Sequence, residues 1–414
     1  MLESRPGGDD FVGDPVGLRE ALELLLAARA DPGSPHLEGS TGVLPMEWPQ
    51  SGVGGRAALR ALAPASLNQA VRLDHPGFLA HMDPPTPWMT WAAALWAAAM
   101  NQNLLHPDVG PAARLLATLV IDWLAPAFGM RGGHLVPGST VANLTALWAA
   151  RELTGARRVL CSTAAHLSIR KSAQLLGLEL VEVPVDDAQR LRADLLDGDL
   201  SDAIVVLIAG TVAAGAIDPL DAGRGAAWRH VDAAWAGPLR LSSHADLLDG
   251  IHTADSVAVS AHKWLYQPKG CAMALFADPD SAQAPLTFGG GYLAAPNVGL
   301  LGSAGDRALP LAAMLLAWGR RGVAARIDAD MALASRLAEI ISEAEDLELW
   351  REPVSGIVNW RSRNAPVEHI KERLRGAWVS TATIGTETWL RSVAVNPHAD
   401  PELVVEKVRQ AAGS

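Results

Sequence analysis

From Gly129 onward, short apolar runs alternate with stretches of helical spacing. Thr140 to Leu153 reads as a helix, Val159 to Ser162 as a strand, and Ser168 to Leu176 as a helix ended by Gly177. Further strands are expected at Leu178 to Val185, at the nearly all-apolar Ala203 to Ala209, at His230 to Ala233 and at Ser256 to Ser260. Apolar strands separated by helices imply an α/β fold with a mostly parallel sheet covered on both faces. Beyond Ala308 the pattern becomes long and helical (Ala308 to Gly319, then Val323 to Ala344). Alternating segments follow at Leu347 to Trp350, Gly356 to Arg361, Val379 to Ile384 and Thr388 to Val395, with a last helix from Pro401. Before the sheet, Val16 to Ala30 and Gly55 to Ala63 carry helical spacing around a Pro/Gly-rich stretch, Asp31 to Gly55. The expected division is an N-terminal helical arm over 1–72, a large α/β domain over 73–315 and a small α+β domain over 316–414. The arm is too loop-rich to hold a core alone and is expected to pack on another part of the molecule or on a partner subunit.

Composition narrows the class. Of 414 residues, 49% are apolar and 19% charged, with mean hydropathy +0.14, which excludes intrinsic disorder. A net charge of −11 argues against a nucleic-acid or anionic-membrane partner. Cys161 and Cys271 cannot make a disulfide framework, so a reducing compartment is expected. No basic flank with an apolar run marks a secretory signal. The apolar stretch Trp88 to Leu105 is interrupted by Asn101, Gln102 and Asn103 and is too short to span a bilayer. A soluble, cytoplasmic protein is the expectation.

In a parallel α/β sheet, ligands bind outside the carboxyl ends of the strands. The polar residues there are Ala164-Ala165-His166, Gly210-Thr211, Asp232-Ala233-Ala234 and His262-Lys263, joined by Pro137-Gly138-Ser139-Thr140 where a loop enters a helix. There are five lysines and two tyrosines, so a mechanism needing either has few candidates. Four of the lysines read as surface residues. Lys263, after a strand and before Trp264, is placed for the desolvation that lowers an amine's pKa and lets it form a Schiff base. Asp232 suits a protonated pyridine nitrogen as well as it suits an N-cap. His166 could lie over such a ring, although a lone histidine is more often structural. Gly138-Ser139-Thr140 is equally an anion site and an ordinary helix start. Thr211 and Ser260 add donors, and Gly289-Gly290-Gly291 before Tyr292 reads either as a hinge carrying a phenol or as a surface turn. No His-Glu-x-x-His, Cys-x-x-Cys, P-loop or Gly-x-Ser-x-Gly motif occurs, so zinc, nucleotide and serine-hydrolase chemistry lack their residues and no metal is expected.

The string from His230 to Gly237, then Ala254-Asp255-Ser256, then Ser260-Ala261-His262-Lys263-Trp264, resembles the group II pyridoxal-phosphate-dependent amino-acid decarboxylases. That family includes glutamate, cysteine sulfinate, aromatic amino acid and 2,4-diaminobutyrate decarboxylases. The likeness extends to His75-Pro76, to Pro137 through Asn143, to Ala165-His166-Leu167-Ser168, to Gly210-Thr211, to Leu390-Arg391 and to Asn396-Pro397. It implies the aspartate aminotransferase fold (fold type I), pyridoxal 5'-phosphate as cofactor and a homodimer. It also implies decarboxylation of an L-amino acid to the amine through an external aldimine and a quinonoid.

Residue by residue, the resemblance makes Lys263 the Schiff-base lysine, Asp232 the partner of the pyridine nitrogen and His166 the residue stacked on the ring. Ser139 and Thr140 fall at the phosphate turn. Ser260, His262, Thr211 and Ala234 fall at cofactor-contacting positions. Tyr292 falls at the mobile-loop tyrosine that returns a proton, usually across the dimer, and Arg391 where some members hold the substrate carboxylate. His81 and Asn103 fall where glutamate-type members line the side-chain pocket. As buried donors they would require a polar substrate, diaminobutyrate- or glutamate-like, unless both bond within the protein. Two departures stand out: Val212 follows Thr211 where a second threonine is frequent, and Ser303 to Arg307 lacks a paired arginine. An aromatic substrate, or another reaction of the same cofactor such as aldehyde synthesis, transamination or a biosynthetic lyase step, is the alternative.

Overall fold

The computed structural model describes residues 13–30 and 44–413. Residues 1–12, and the 31–43 part of the Pro/Gly-rich stretch, lie outside them. The chain divides into two compact units, Met1–His75 and Pro76–Ser414. The first holds α1 (Pro15–Ala30) and α2 (Gly55–Ser66). These helices are tied by Arg56 to Asp14 (2.7 Å) and by Arg60 to Glu20, while Arg29 reaches Asp74 at 2.6 Å. Only Gly17 and Ala63 are buried among its described residues, so apolar Val16, Leu18, Leu22 and Leu26 remain exposed. A unit that buries so little has no core of its own.

The second unit begins with α3 (Trp88–Met100) and α4 (Pro111–Leu124). Then come β1 (Gly132–Val136), α5 (Ser139–Thr154), β2 (Arg158–Ser162), α6 (Leu167–Leu176), β3 (Glu179–Val183), β4 (Ala203–Ile208), β5 (Trp228–Asp232), β6 (Ser256–Ser260) and β7 (Ala272–Phe276). These seven strands form one sheet in the order β1-β7-β6-β5-β4-β2-β3, parallel except for β7, which runs against both β1 and β6. The mostly parallel expectation holds, and α6 ends at Gly177 as the pattern predicts. Strands β1 and β7 escape the sequence pattern. Gly132-Gly133 weakens the strand signal of β1, and β7 follows the strand–turn of Lys263 without an intervening helix.

Every residue of β4 is buried, which explains its unbroken apolar run. One face packs Val206 and Ile208 under Ala146, Leu147 and Ile169 of α5 and α6. The other packs Val205, Leu207, Val231 and Val259 against Trp235, Trp264 and Leu311. Among the described residues, the segment of helical character long and apolar enough to cross a membrane is not Trp88 to Leu105 but Pro111–Phe128, with mean hydropathy 1.3. In this fold it packs Val120, Ile121, Leu124 and Phe128 into that second core.

After α7 (Pro279–Gln283) and a ribbon of β8 (Thr287–Phe288) and β9 (Asn297–Val298), α8 runs from Ala308 to Glu343. It is broken at Gly319 (φ 60°, ψ 179°), a conformation essentially reserved for glycine, at the end of the first expected helical piece. Residue 315, the expected domain boundary, falls inside α8. Its first half buries Leu311 and Met314 in the core of the large sheet, and its second half buries Leu337 and Ile341 against the small one. That sheet orders β10 (Leu347–Leu349), β11 (Ile357–Ser362), β13 (Glu387–Val393) and β12 (Ser380–Ile384), all antiparallel. It is backed by α9 (Val367–Arg373) and α10 (Pro401–Gly413).

Candidate active site

At the carboxyl ends of the parallel strands, Ser139, His166, Gly210, Asp232, Ala234 and Lys263 converge on one cleft. Met82, Ile208, Val212 and Trp235 complete its wall. Gly210 has φ 97°, and a side chain there would drive its Cβ to 2.6 Å from Trp235 Cδ1. Glycine is therefore required where the chain turns over the Trp235 ring.

Lys263 projects into the cleft from the turn after β6. Its ammonium makes no hydrogen bond or ion pair among the described residues. Burial lowers its pKa; Asp232 pulls it back up, and Lys269 and Arg391 add to the lowering. The turn behind it is held firmly. Trp264 stacks on Trp235 with ring centroids 4.6 Å apart, and its Nε1 donates to Asp330 of α8 at 2.7 Å. The Tyr266 hydroxyl donates to the same carboxylate oxygen. Burial pushes Asp330 up to about 7.

Asp232 is buried at the end of β5. Its Oδ1 accepts from the Ala234 N–H at 3.1 Å and its Oδ2 from the Asn143 amide at 2.9 Å. His166 caps α6: its Nδ1 accepts from the Ser168 N–H at 3.2 Å, and Ser168 Oγ lies 2.8 Å away. Burial lowers the His166 pKa, partly offset by Asp232. His166 Nε2 has no partner among the described residues.

Pyridoxal phosphate fits this arrangement. Helix α5 opens at Gly138 without a side-chain cap, and the Ser139 and Thr140 N–H groups find no acceptor among the described residues. The Ser260 hydroxyl is fully buried and unpartnered. Unpaired donors of this kind are costly unless an acceptor such as a phosphate completes them. His262 donates from Nδ1 to the Cys271 carbonyl at 3.0 Å, and burial with Lys269 and Lys263 beside it lowers its pKa to about 4.

Other expected site residues are not among those lining the cleft. Thr140 is exposed, and the Thr211 hydroxyl is taken by the Ala216 N–H at 3.0 Å. His81 is exposed, and its neighbour Met82 lines the cleft instead. The Asn103 amide bonds within the chain, donating to Ser303 Oγ at 3.1 Å and accepting from the N–H groups of Leu105 (3.0 Å) and Ala304 (3.3 Å). The premise that His81 and Asn103 are buried donors awaiting a polar substrate therefore does not hold for this chain. Arg391 is buried on β13, bonds Ser380 Oγ at 3.1 Å and leaves Nε unpartnered; burial lowers it to about 10. Tyr292 is 76% exposed near the tip of the β8–β9 ribbon and is absent from the cleft of its own chain. Sequence reasoning missed Met82, Ile208 and Trp235 as wall residues. The only available signal was their position beside the strand ends.

Residues 64–363 match the family model described as the pyridoxal-dependent decarboxylase conserved domain. An L-2,4-diaminobutyrate decarboxylase of Rhizobium meliloti (strain 1021) is 31% identical over 412 residues, covering 88% of this chain and 83% of the relative. The enzyme of that name from Acinetobacter baumannii is 28% identical, covering 78% and 74%. A rat cysteine sulfinic acid decarboxylase is 31% identical, covering 70% and 67%. In fold, the chain is similar to the glutamate decarboxylase domain of a Vibrio parahaemolyticus diaminobutyrate–pyruvate transaminase and L-2,4-diaminobutyrate decarboxylase, with TM-score 0.86, 21% identity and coverage of 99% and 100%. Oryza sativa TDC with PLP and tryptamine superposes equally well, at TM-score 0.86, 21% identity and 99% coverage of each chain. With its cleft, its half-buried lysine and this match over most of its length, the chain belongs to the pyridoxal-dependent decarboxylase family and is a pyridoxal-phosphate-dependent amino-acid decarboxylase.

Proposed function

We propose that the substrate is a small L-amino acid with a polar side chain, of the 2,4-diaminobutyrate class. The observation that supports this beyond the relatives' names is Asp83. It follows cleft-lining Met82 and lies close enough for its charge to raise the pKa of both Lys263 and Arg391. Asp83 is ion-paired with Lys269 at the surface, so an ammonium-ended substrate would exchange with that lysine for the same carboxylate.

Bound pyridoxal phosphate supplies the electron sink for the pair released as carbon dioxide leaves. Lys263 is the amine that holds it, and lowering that amine's pKa favours the neutral nucleophile. Asp232 supports the positive ring nitrogen. The Ser139 and Thr140 N–H groups and the Ser260 hydroxyl receive the phosphate. Arg391, with its unpartnered Nε, is placed to hold the substrate carboxylate. Tyr292 carries the proton returned to the substrate carbon. Because it is exposed and absent from the cleft of its own chain, a second copy of the chain supplies it. Exposed apolar residues on α3 (Trp88, Leu95, Trp96, Met100) and on α1 support a homodimer. The two buried free thiols, Cys161 and Cys271, support a reducing, cytoplasmic setting.

The test is carbon dioxide release from a panel of L-amino acids with added cofactor, using Lys263→Ala as the blank. Turnover is expected to be fastest with 2,4-diaminobutyrate. Activity confined to tryptophan and tyrosine would overturn the polar-substrate assignment.

A further inference from the structure

Behind the cleft, polar side chains from β5, β6, α5 and α6 meet where an apolar core would be expected. Asn143, Ser168, His230 and Ser256 are fully buried, and Trp228 nearly so. Trp228 Nε1 lies 2.8 Å from Ser256 Oγ, which lies 2.9 Å from His230 Nδ1. His230 Nε2 lies 3.0 Å from Asn143 Oδ1. The Asn143 nitrogen lies 2.9 Å from Asp232 Oδ2 and 2.8 Å from Ser168 Oγ, and Ser168 Oγ is 2.8 Å from His166 Nδ1.

The direction of every bond follows from the residues at the ends. An indole N–H can only donate, so Ser256 Oγ accepts from Trp228 and keeps its own proton for the bare Nδ1 that a neutral, Nε2-protonated His230 presents. At the other end, Asp232 accepts at both oxygens. Flipping the Asn143 amide would set its carbonyl against that carboxylate and against Ser168. The amide therefore donates both its protons forward and accepts at Oδ1, which requires a proton on His230 Nε2. Ser168, having accepted from Asn143, turns its hydroxyl proton to His166 Nδ1, which the Ser168 N–H also addresses. That leaves the His166 proton on Nε2. Burial lowers the His230 pKa to about 4, so the ring is neutral over the working range and this tautomer persists.

We propose that Asn143 and His230 are positioning residues: a one-way hydrogen-bond chain starting at Trp228 aims Asp232 and fixes His166 with its Nε2–H toward the cleft. This rests on the assignment of Asp232 and His166 as the groups flanking the cofactor. No group in the chain except those two touches the cleft, so Asn143 and His230 act through their neighbours.

Histidine-selective ¹⁵N NMR, on the protein with and without pyridoxal phosphate, reads the tautomers directly, with His166→Gln and His230→Gln giving the assignments. Both rings are expected as Nε2–H at neutral pH; a proton on Nδ1 of His230 would overturn the proposal whatever the enzyme's substrate. His230→Leu and Asn143→Ala are each expected to weaken cofactor affinity and kcat by about 10- to 100-fold, the range for losing a hydrogen bond to a charged group, with substrate KM little changed. His230→Gln, which can still donate to Asn143, restores most of the loss. The double variant is no worse than Asn143→Ala alone, because both changes cut one chain. Additive losses, or wild-type cofactor affinity in His230→Leu, would mean that the chain does not act on Asp232. Should the truncated variants fail to fold, the wild-type tautomers decide the matter alone.

Discussion

At the scale of single residues, the chemistry was legible where it sits at a strand end and obscure where it depends on distant neighbours. Lys263 and Asp232 follow β6 and β5, and a scarcity of lysines singled one of them out. Asn143 and His230 gave no such signal. Their importance comes from partners 87 to 89 positions apart in the chain, which only the folded sheet brings together. His81 and Asn103 misled for the opposite reason: a motif position says nothing about whether an amide finds partners nearby, and Asn103 finds three. Tyr292 also carries a prediction at this scale. Tyr292→Phe keeps the cofactor but lacks the acid, so amine formation falls by about 100-fold, in the range for loss of general acid catalysis. In air, aldehyde then appears among the products, with dioxygen taking the electron pair as hydrogen peroxide and the amino group leaving as ammonia. Chromatography of the amine and aldehyde fractions checks this, and unchanged amine yield would remove Tyr292 from the mechanism.

At the scale of elements, the helices and the parallel strands of the large sheet were readable because their periodicities are unmixed. The antiparallel partners β1 and β7 were not, because glycines interrupt one and an unusual connection introduces the other. Helix α8 matters most here, since its Asp330 holds the turn that carries Lys263 through Trp264 and Tyr266. Burial raises that carboxyl to about 7 from an ordinary 3.8, so folding takes up a proton between those values. Stability contributed this way is full below about pH 4 and is lost as pH rises toward 7. Asp330→Asn does not titrate. It should therefore gain stability relative to the wild type as pH rises from about 4 to about 7, whatever its offset at any one pH. Urea midpoints across that range measure the difference, and parallel curves would show that the carboxyl is already ionised when buried.

At the scale of the whole molecule, the division into a sheet domain and a smaller C-terminal sheet was visible in the sequence. The sharing of one broken helix between their two cores was not, because Gly319 looks like an end rather than a bend. Assembly is the property that the single chain foreshadows least. Trp96 on α3 is 62% exposed in a helix apolar on nearly every side. Under the proposed pairing of two copies, Trp96→Glu is expected to give monomer where the wild type gives dimer in sedimentation equilibrium. Turnover should fall with it, since a lone chain has no Tyr292 at its cleft. A fully active monomer would show that one copy suffices.

The break at Gly319 lies about three turns ahead of Asp330 along α8, at 3.6 residues per turn. A single codon inserted or deleted between them would swing that acid by about 100° around the helix axis, away from Trp264 and Tyr266. The spacing is thus a ruler. Homologous chains that conserve this anchorage should vary in length before the bend or after the acid, and hold their residue count constant in between.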